Sequence, residues 1–220
     1  LDSPLNFGRK HDHMPKKYDF TYSGTDQDVD NDCVGWSSFA KNWTFVLEAL
    51  EIMCSPEFNL TGVLVATKNK KNTKACWIPD SCRNKMVQTQ FLPNQTEFFE
   101  YAKSSHFVFL PQIYDASPRV STQALSLNVP VLMNRNILGG WKYVNNETGE
   151  FFHDMSDFKQ SLRRIVDRSR SGTHYHPRSW IERNAGTEKA GRQLREFVET
   201  NFPGRVKFPK GSELLIPWGA

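Results

Sequence analysis

Residues 115–123 combine an acid, a helix start and a fixed positive charge in one short segment. Asp115 is followed eight positions later by Gln123, whose amide both donates and accepts hydrogen bonds. Between them, Ser117 and Pro118 predict a helix start, with Ser117 as the cap and Pro118 in the first turn. Arg119 adds a forked, permanent positive charge. Because unpaired N–H groups and the helix dipole attract phosphate, the segment predicts a pyrophosphate site with a sugar or ribose hydroxyl at each end.

The sequence around this segment resembles a known class of enzymes. Residues 115–132, D-A-S-P-R-V-S-T-Q-A-L-S-L-N-V-P-V-L, resemble the donor-binding half of GT-B glycosyltransferases. The usual motif of that class is E-x7-E followed by A-x(3)-G-x-P-V-V, so Asp115 and Gln123 replace its two glutamates. Residues 137–152, I-L-G-G-W-K-Y-V-N-N-E-T-G-E-F-F, also resemble glycosyltransferases of algae and of the chloroviruses that infect them.

The resemblance implies an enzyme that moves a sugar from a nucleotide diphosphate to a glycan acceptor, either an oligosaccharide or a glycoprotein. It implies that Asp115 faces the transferred sugar and acts, with Arg119, as a catalytic residue. The remaining donor contacts would be Ser117, Pro118, Arg119 and the Val120 amide on the phosphates, and Gln123 on the ribose. The implied donor is a UDP-sugar, with UDP-rhamnose or UDP-xylose following from the algal and viral likeness. No metal or other cofactor is implied.

The elements that position these residues alternate along the chain, which predicts an α/β fold with a parallel sheet and crossover helices. We expect a Rossmann-like, doubly wound sheet with a C-terminal helix over 18–202, between a leader or linker at 1–17 and an extended tail at 203–220. Strands are predicted at 18–23, 60–66, 86–92, 106–110, 129–133 and 150–152. Helices are predicted at 36–53, at 94–103, from 118, at 154–168 and at 177–201.

Ligands of such sheets bind beyond the carboxyl ends of the strands, which adds donor-binding candidates. After the first strand, Gly24 and Thr25 predict a close approach of backbone amides to a phosphate or sugar, or only a turn. After the second strand, Lys68, or Lys70 and Lys71, could neutralise the diphosphate or form a solvated basic loop.

Two further pairs follow later strands. Phe91 and Leu92 close the predicted third strand, where GT-B enzymes commonly hold the base with backbone amides and an apolar contact. A place in the core is an equal alternative for Phe91. Gly139 and Gly140, after the fifth strand, predict either a flexible lid or a simple turn.

A run of aspartates offers a competing chemistry. Asp26, Asp28, Asp30 and Asp32 form D-x-D-x-D-x-D after the first strand, and a D-x-D there is how GT-A glycosyltransferases hold a divalent metal. The Glu that closes an EF-hand calcium loop is absent at the required position. In GT-A enzymes the motif also follows a longer nucleotide-binding half than this chain has built by that point. We therefore expect an exposed acidic loop and keep a metal-dependent GT-A enzyme as an alternative.

Composition limits the possible partners. The 220 residues carry a net charge of +4, which suits a phosphate-bearing ligand but is too diffuse to indicate nucleic acid. No apolar run reaches the roughly 20 residues that a membrane span needs, and no segment has the pattern of a signal peptide. Only one Rossmann-like domain fits this length, whereas GT-B enzymes ordinarily have two. A second alternative is therefore a non-catalytic nucleotide- or glycan-binding module of a larger protein.

The four cysteines have no metal-ligand spacing. Cys33, Cys54, Cys76 and Cys82 are therefore predicted to be free thiols in a reducing compartment. The expected location is the cytoplasm, or the host cytoplasm if the protein is viral. Against that location stand four N-x-[ST] sequons, where about two would arise by chance. They begin at Asn42, Asn59, Asn94 and Asn146.

Overall fold

Six short apolar segments form one parallel sheet in a computed structural model that describes residues 3–24, 27–116, 118–172 and 174–208. The strands lie in the order β3-β2-β1-β4-β5-β6, and every neighbouring pair is parallel. They are β1 (Tyr18–Ser23), β2 (Gly62–Val65), β3 (Met86–Gln88), β4 (Ser105–Leu110), β5 (Val131–Asn134) and β6 (Gly149–Phe152). The predicted doubly wound α/β fold is confirmed.

Eight α-helices accompany these strands in the described part of the chain. Four precede β4, namely α1 (Pro4–Lys10), α2 (Trp36–Ala40), α3 (Trp43–Met53) and α4 (Gln95–Lys103). Four follow it, namely α5 (Arg119–Ser126), α6 (Met155–Ser171), α7 (Pro177–Ala185) and α8 (Thr187–Asn201). Among the described residues, no helix is both long and apolar enough to cross a membrane.

The sheet is buried on both faces, which explains why its strands read as continuous apolar runs. Successive side chains of a strand point to opposite faces. In β4, Phe107 and Phe109 therefore pack with α3 and α6, while Val108 and Leu110 pack with α1, α4, α5 and α7. All four of these side chains are fully buried. Because all six strands are parallel, their carboxyl ends lie at one common edge of the sheet.

Two predicted helices are each divided in the structure. The helix expected over 36–53 breaks between α2 and α3, because Asn42 adopts a left-handed conformation with φ of 57° and donates its amide to the Pro111 carbonyl. The helix expected over 177–201 breaks at Gly186, whose backbone is extended. Both interruptions depend on contacts or backbone geometry that hydrophobic periodicity does not report.

The strands after α3 are shorter than predicted. The second strand covers Gly62–Val65 rather than 60–66, and the third covers Met86–Gln88 rather than 86–92. Phe91 and Leu92 therefore lie in the loop after β3 and do not close that strand. Beyond these bounds the pairing becomes irregular, since the amides of Thr67 and Lys68 both donate to the Thr89 carbonyl.

The expected leader at 1–17 contains helix α1, which packs against α4 and α5. Ser3 caps this helix by accepting a hydrogen bond from the Asn6 amide. Phe7 is only 3% exposed and contacts Phe99 of α4 with a ring-centroid distance of 5.7 Å. This helix was not predicted because the segment is mostly polar and contains only one buried aromatic residue, Phe7. Residues 209–220 of the expected tail lie outside the described residues.

An ion-pair cluster attaches the segment after α1 to the body of the domain. Asp12 Oδ1 accepts from Arg178 Nη2 at 2.6 Å and from Lys103 Nζ at 3.3 Å. Lys103 is 4% exposed and also donates to the Leu127 carbonyl. The hydrogen bond from Arg178 is the largest cause that lowers the pKa of Asp12 to about 2.

We expect Asp12→Asn to lower the free energy of unfolding by about 1 kcal/mol near neutral pH, a modest value because Asp12 is half exposed. The folded-state pKa lies below the unfolded value of about 3.9. The contribution is therefore complete above pH 5 and is lost as the pH falls toward 2. Urea unfolding at several pH values measures this difference. Asp167→Asn, on the exposed side of α6, is the control, and an Asp12 effect that does not change with pH would contradict an ionic origin.

Candidate functional site

The carboxyl edge of the sheet has a topological switch point between β1 and β4. Strands β2 and β3 continue from one side of β1, whereas β4, β5 and β6 continue on the other. Crossover connections diverge at such a point and leave a crevice, which is where ligands of doubly wound sheets bind. The loops after β1, β2 and β3 lie on one side of this crevice, and the start of α5 follows β4 on the other.

A cavity of about 860 Å³ lies among the loops after β1, β2 and β3. Its size falls in the range of small-molecule sites. Its lining contains three lysines and one aromatic ring, and all four of these residues are donor-binding candidates predicted from the sequence, namely Lys68, Lys70, Lys71 and Phe91. Phe91 is 50% exposed, so it belongs to the cavity wall and not to the core. The complete lining is Val29, Asp30, Ala66, Lys68, Asn69, Lys70, Lys71, Thr73 and Phe91.

The basic loop that carries the three lysines has a defined shape. Lys68 forms an isolated antiparallel bridge with Ala75, which closes the loop at its base. Asn69 Oδ1 accepts from the amides of Thr73 and Lys74, at 3.0 and 3.2 Å. Asn69 Nδ2 donates to Asp30 Oδ1 across the cavity, at 3.0 Å. The loop is therefore an organised wall and not a freely solvated segment.

Two disulfides contradict the predicted free thiols. Cys33 pairs with Cys76, with a Cα–Cα distance of 5.7 Å, and Cys54 pairs with Cys82, with a distance of 5.3 Å. The first bond joins the loop after β1 to the loop after β2, so it links two walls of the cavity. The partners are 43 and 28 residues apart, so each bond joins segments that only the tertiary structure brings together. The expectation of a reducing compartment thereby loses its basis.

The aspartate run is divided among separate interactions. Asp28 Oδ2 accepts from the Ser38 amide at 2.9 Å, Asp30 binds Asn69, and Asp32 pairs with Lys74 at 2.9 Å. Asp26 lies outside the described residues. Within the described ranges, no three His, Cys, Asp or Glu side chains are grouped to hold a metal ion.

Helix α5 presents its start at the other side of the crevice. The helix begins at Arg119 with Pro118 in the cap position, one residue later than predicted, and Pro118 provides no side-chain acceptor. Ser117, the predicted cap, lies outside the described residues, as does Thr25. Arg119 is exposed, and no ion pair among the described residues involves it. The first N–H groups of the helix have no intrahelical partner, so this end suits an anion.

Two further predicted residues lie on the same helix. Gln123 is half-buried and follows Arg119 by four positions, which places both side chains on one face of α5. Val120 is half-buried, and its side chain packs against the apolar cluster that contains Val108 and Leu110. Only its backbone amide can therefore contact a ligand at the helix start. Leu92 also packs against that cluster, behind the loop that presents Phe91.

Asp115 has a neighbour that the sequence did not reveal. Lys41 Nζ lies 3.7 Å from Asp115 Oδ2, and the two side chains are 13% and 25% exposed. Burial lowers the pKa of Lys41, while the Asp115 carboxylate opposes that shift. The amides of Ile113 and Tyr114 donate to the Ala40 carbonyl, which holds the end of α2 beside the loop after β4. No local sequence pattern connects residue 41 with residue 115.

The predicted glycines make close contacts. A Cβ on Gly139 would lie 1.9 Å from the Ala116 carbonyl oxygen, and Gly140 has a φ of +81° and would place a Cβ 2.3 Å from Pro118 Cγ. These two glycines therefore allow the loop after β5 to pack against the start of α5. Neither of the two predictions, a flexible lid or a simple turn, included this contact. Gly24 donates its amide to the Val65 carbonyl, and a Cβ there would meet Gln27 and Val65. The backbone of Gly24 therefore lies close to the end of β2.

Comparison with known proteins identifies the fold. No protein-family model and no curated protein matches the chain. Among solved structures, WaaG, a glycosyltransferase involved in lipopolysaccharide biosynthesis, aligns with a TM-score of 0.54 at 12% identity, covering 93% of this chain and 52% of WaaG. Anabaena HepE, solved in complex with UDP, gives 0.54 at 12% identity, covering 90% and 52%. The C-terminal domain of LpcC from Francisella tularensis gives 0.53 at 9% identity, covering 84% and 93%.

These alignments define the class of fold. The six-stranded parallel sheet with its flanking helices has the GT-B glycosyltransferase fold. The chain spans about half the length of WaaG and HepE but most of the separate C-terminal domain of LpcC. The comparisons do not support the algal or chlorovirus origin.

The disulfide between Cys33 and Cys76 generates a prediction about the basic loop. Replacing both cysteines with serine should lower the free energy of unfolding by about 4 kcal/mol, through the lost restraint on the unfolded chain. It should also accelerate tryptic cleavage after Lys68, Lys70 or Lys71 at least about tenfold, because the loop opens locally.

The matched control is the double replacement of Cys54 and Cys82. We expect a similar loss of stability without faster cleavage of the basic loop, since that bond joins α3 to the segment at Asp80–Cys82. Mass spectrometry of timed trypsin digests compares the two variants. Equal cleavage rates in both would contradict a local role for the Cys33–Cys76 bond.

Proposed function

We propose that the protein is a glycosyltransferase that moves a sugar from a nucleotide diphosphate, a UDP-sugar, to a glycan acceptor. The observation that carries the proposal is the arrangement of two parts on either side of the switch point. On one side lies the cavity with three lysines and Phe91. On the other lies the start of α5 with Arg119 and, one turn later, Gln123. A nucleotide base, two phosphates and a sugar would extend between them.

Each part matches one portion of such a donor. Phe91 offers a half-exposed ring against which a base can stack, and the lysines offer positive charge for the phosphates. The amides of Arg119 and Val120 and the Arg119 guanidinium supply donors directed at the diphosphate. Gln123 is the candidate for the ribose hydroxyls. A bound UDP is recorded for HepE, which shares the fold, and this supports uridine as the first base to test.

The chemistry requires the diphosphate to leave while negative charge builds on it. Arg119 and the positive end of the α5 dipole would stabilise that charge. Asp115 is the candidate acid at the sugar, either holding a hydroxyl or accepting the proton of the acceptor. Its neighbour Lys41 would keep the carboxylate in place and partly neutralise it. UDP-rhamnose and UDP-xylose are the first donors to compare with hexose donors.

A non-catalytic module is the second candidate. Its support is the coverage: the chain matches 93% of an isolated C-terminal domain but 52% of a complete WaaG. Such a module would bind the donor nucleotide and leave the acceptor to another domain of a longer polypeptide. Turnover of a donor separates it from the enzyme.

The first experiment is a thermal-shift titration with UDP, GDP, dTDP, CMP and ADP, each with and without Mn²⁺. A nucleotide at about 100 times its dissociation constant stabilises the fold by about 2.7 kcal/mol. We expect UDP to give a metal-independent shift. Arg119→Ala should weaken UDP binding roughly tenfold or more, since it removes a charged hydrogen bond worth about 1.5–3 kcal/mol. Gln123→Ala should weaken it about two- to tenfold, since the hydrogen bond that it removes is neutral and worth about 0.5–1.5 kcal/mol.

Arg192→Ala is the control for this titration, because it removes an exposed arginine of α8 and makes the same change in charge. Its UDP affinity should equal that of the unaltered protein. A shift that requires Mn²⁺ and disappears when Asp26 and Asp28 are replaced would favour the GT-A alternative. The absence of any nucleotide shift would contradict the proposed donor site.

A catalytic role for Asp115 makes a separate prediction. Asp115→Asn should reduce sugar transfer about 100-fold or more while leaving the UDP-induced thermal shift intact, because the proposed nucleotide contacts lie on α5 and in the cavity. Release of UDP from UDP-sugars in the presence of glycan acceptors measures transfer. Nucleotide binding without turnover in the unaltered chain would favour the module.

A further inference from the structure

The disulfides and the sequons concern the same question, the compartment in which the protein folds. All four cysteines are paired, and none of their side chains is exposed. Stable structural disulfides form in oxidising compartments and are rare in the cytosol. The N-x-[ST] sequon is a glycosylation signal only in a chain that enters such a compartment. The two features are chemically independent and point the same way.

We infer that the protein matures in an oxidising secretory compartment and carries N-linked glycans at Asn59, Asn94 and Asn146. Each of these side chains is exposed. The fourth sequon, at Asn42, is excluded by its surroundings. This inference does not depend on the proposed glycosyltransferase activity.

Asn59 and Asn94 are open to a glycan for definite geometric reasons. Asn59 occupies a left-handed turn with φ of 48° between α3 and β2. Asn59 is exposed there, and so is Thr61 of the same sequon. Asn94 caps α4, and its Oδ1 accepts from the Thr96 amide at 3.0 Å. A glycan attaches to Nδ2 and leaves Oδ1 unchanged, so the cap and the glycan are compatible.

Asn146 lies in the turn before β6 and is exposed, although the threonine of its sequon is fully buried. Thr148 Oγ1 donates to the Tyr143 carbonyl and accepts from the Asn145 amide, both at 2.8 Å. This burial does not obstruct the modification, since the glycan is added as the chain enters the lumen, before the turn folds. The folded turn then leaves the modified asparagine outside.

Asn42 differs from the other three. It is half-buried between α2 and α3, and its Nδ2 donates to the Pro111 carbonyl at 3.2 Å. A glycan on that nitrogen would have to occupy the junction between α2 and the loop after β4, next to the Lys41–Asp115 pair. The following residue, Trp43, is only 5% exposed. A chain that receives a glycan at Asn42 before it folds could therefore not reach this packing, so we expect Asn42 to be unmodified in the folded protein.

Two of the three glycan positions lie away from the candidate site. Asn59 precedes β2 and Asn146 precedes β6, so both lie at the amino edge of the parallel sheet, opposite the cavity. Asn94 lies at the start of α4, beyond the exposed Phe91 loop. At least two of the three glycans would therefore cover surface that the proposed donor does not use.

The first test is expression of the full chain, with a cleavable secretion signal, in cultured mammalian cells. Glycopeptide mass spectrometry before and after peptide N-glycosidase digestion should find glycans at Asn59, Asn94 and Asn146 and an unmodified Asn42. Thr61→Ala, Thr96→Ala and Asn146→Gln should each remove one glycan, which is seen as a lower apparent mass on a denaturing gel. Thr61→Ser and Thr96→Ser are the matched controls, because they retain the sequon.

Variants that are not secreted are analysed in the lumenal fraction, where core glycans are already attached. Unmodified Asn59, Asn94 and Asn146 in the folded protein would overturn the inference. A glycan on Asn42 in protein with an unaltered melting temperature would overturn the geometric exclusion. If the glycosylated protein does not bind UDP, that result would count against the proposed function and not against this inference.

A second measurement tests the compartment itself. The chain is produced in a reducing bacterial cytosol and compared with the secreted, deglycosylated form. Alkylation in denaturant without a reductant should modify thiols only in the cytosolic form, whose native melting temperature should be lower by about 15 °C or more. A cytosolic form with four free thiols and the same melting temperature would show that the disulfides are dispensable, and the proposed compartment would be wrong.

Discussion

The pairing of β1 with both β2 and β4 is the contact on which the rest of the structure depends. Phe20 of β1 lies opposite Gly62 on one side and opposite Phe107 on the other. A Cβ on Gly62 would lie 2.6 Å from the Phe20 ring, so this glycine makes room for the aromatic side chain that fills the core. Because β1 is the central strand, its two pairings place the loops after β2 and β3 on one side and α5 on the other. The crevice between them is a consequence of that topology.

Covalent and electrostatic restraints then organise the edge that the sheet has created. The Cys33–Cys76 bond and the Asn69–Asp30 hydrogen bond hold the loops after β1 and β2 against each other. The three lysines that line the cavity repel one another, and these restraints keep their charge concentrated there. A wall that is already ordered loses little entropy when a ligand binds, which raises affinity without additional contacts.

The side of the crevice at α5 is also ordered in advance, here by packing and hydrogen bonds instead of a disulfide. Gly139 and Gly140 allow the loop after β5 to pack against the segment that leads into α5. The carbonyl of Ala40 receives two amides from the loop after β4, which positions Lys41 beside Asp115. In a half-buried environment this pair interacts more strongly than it would in water. A carboxylate held in this way has a fixed orientation, which the role proposed for Asp115 would require.

The sequence alone determined those features that local chemistry encodes. The bounds of β1, the cap of α4 at Asn94 and the capping box of α6 at Asp154 follow from side-chain types at fixed spacing, and so does the α/β alternation. Tertiary structure alone decided the disulfide partners, the break at Asn42, the burial of Phe7 in the expected leader and the Lys41–Asp115 pair. Each of these joins residues that are distant in sequence or fills a place that another element provides. Periodicity and capping report interactions within a few residues, whereas these contacts exist only after the sheet has brought its loops together.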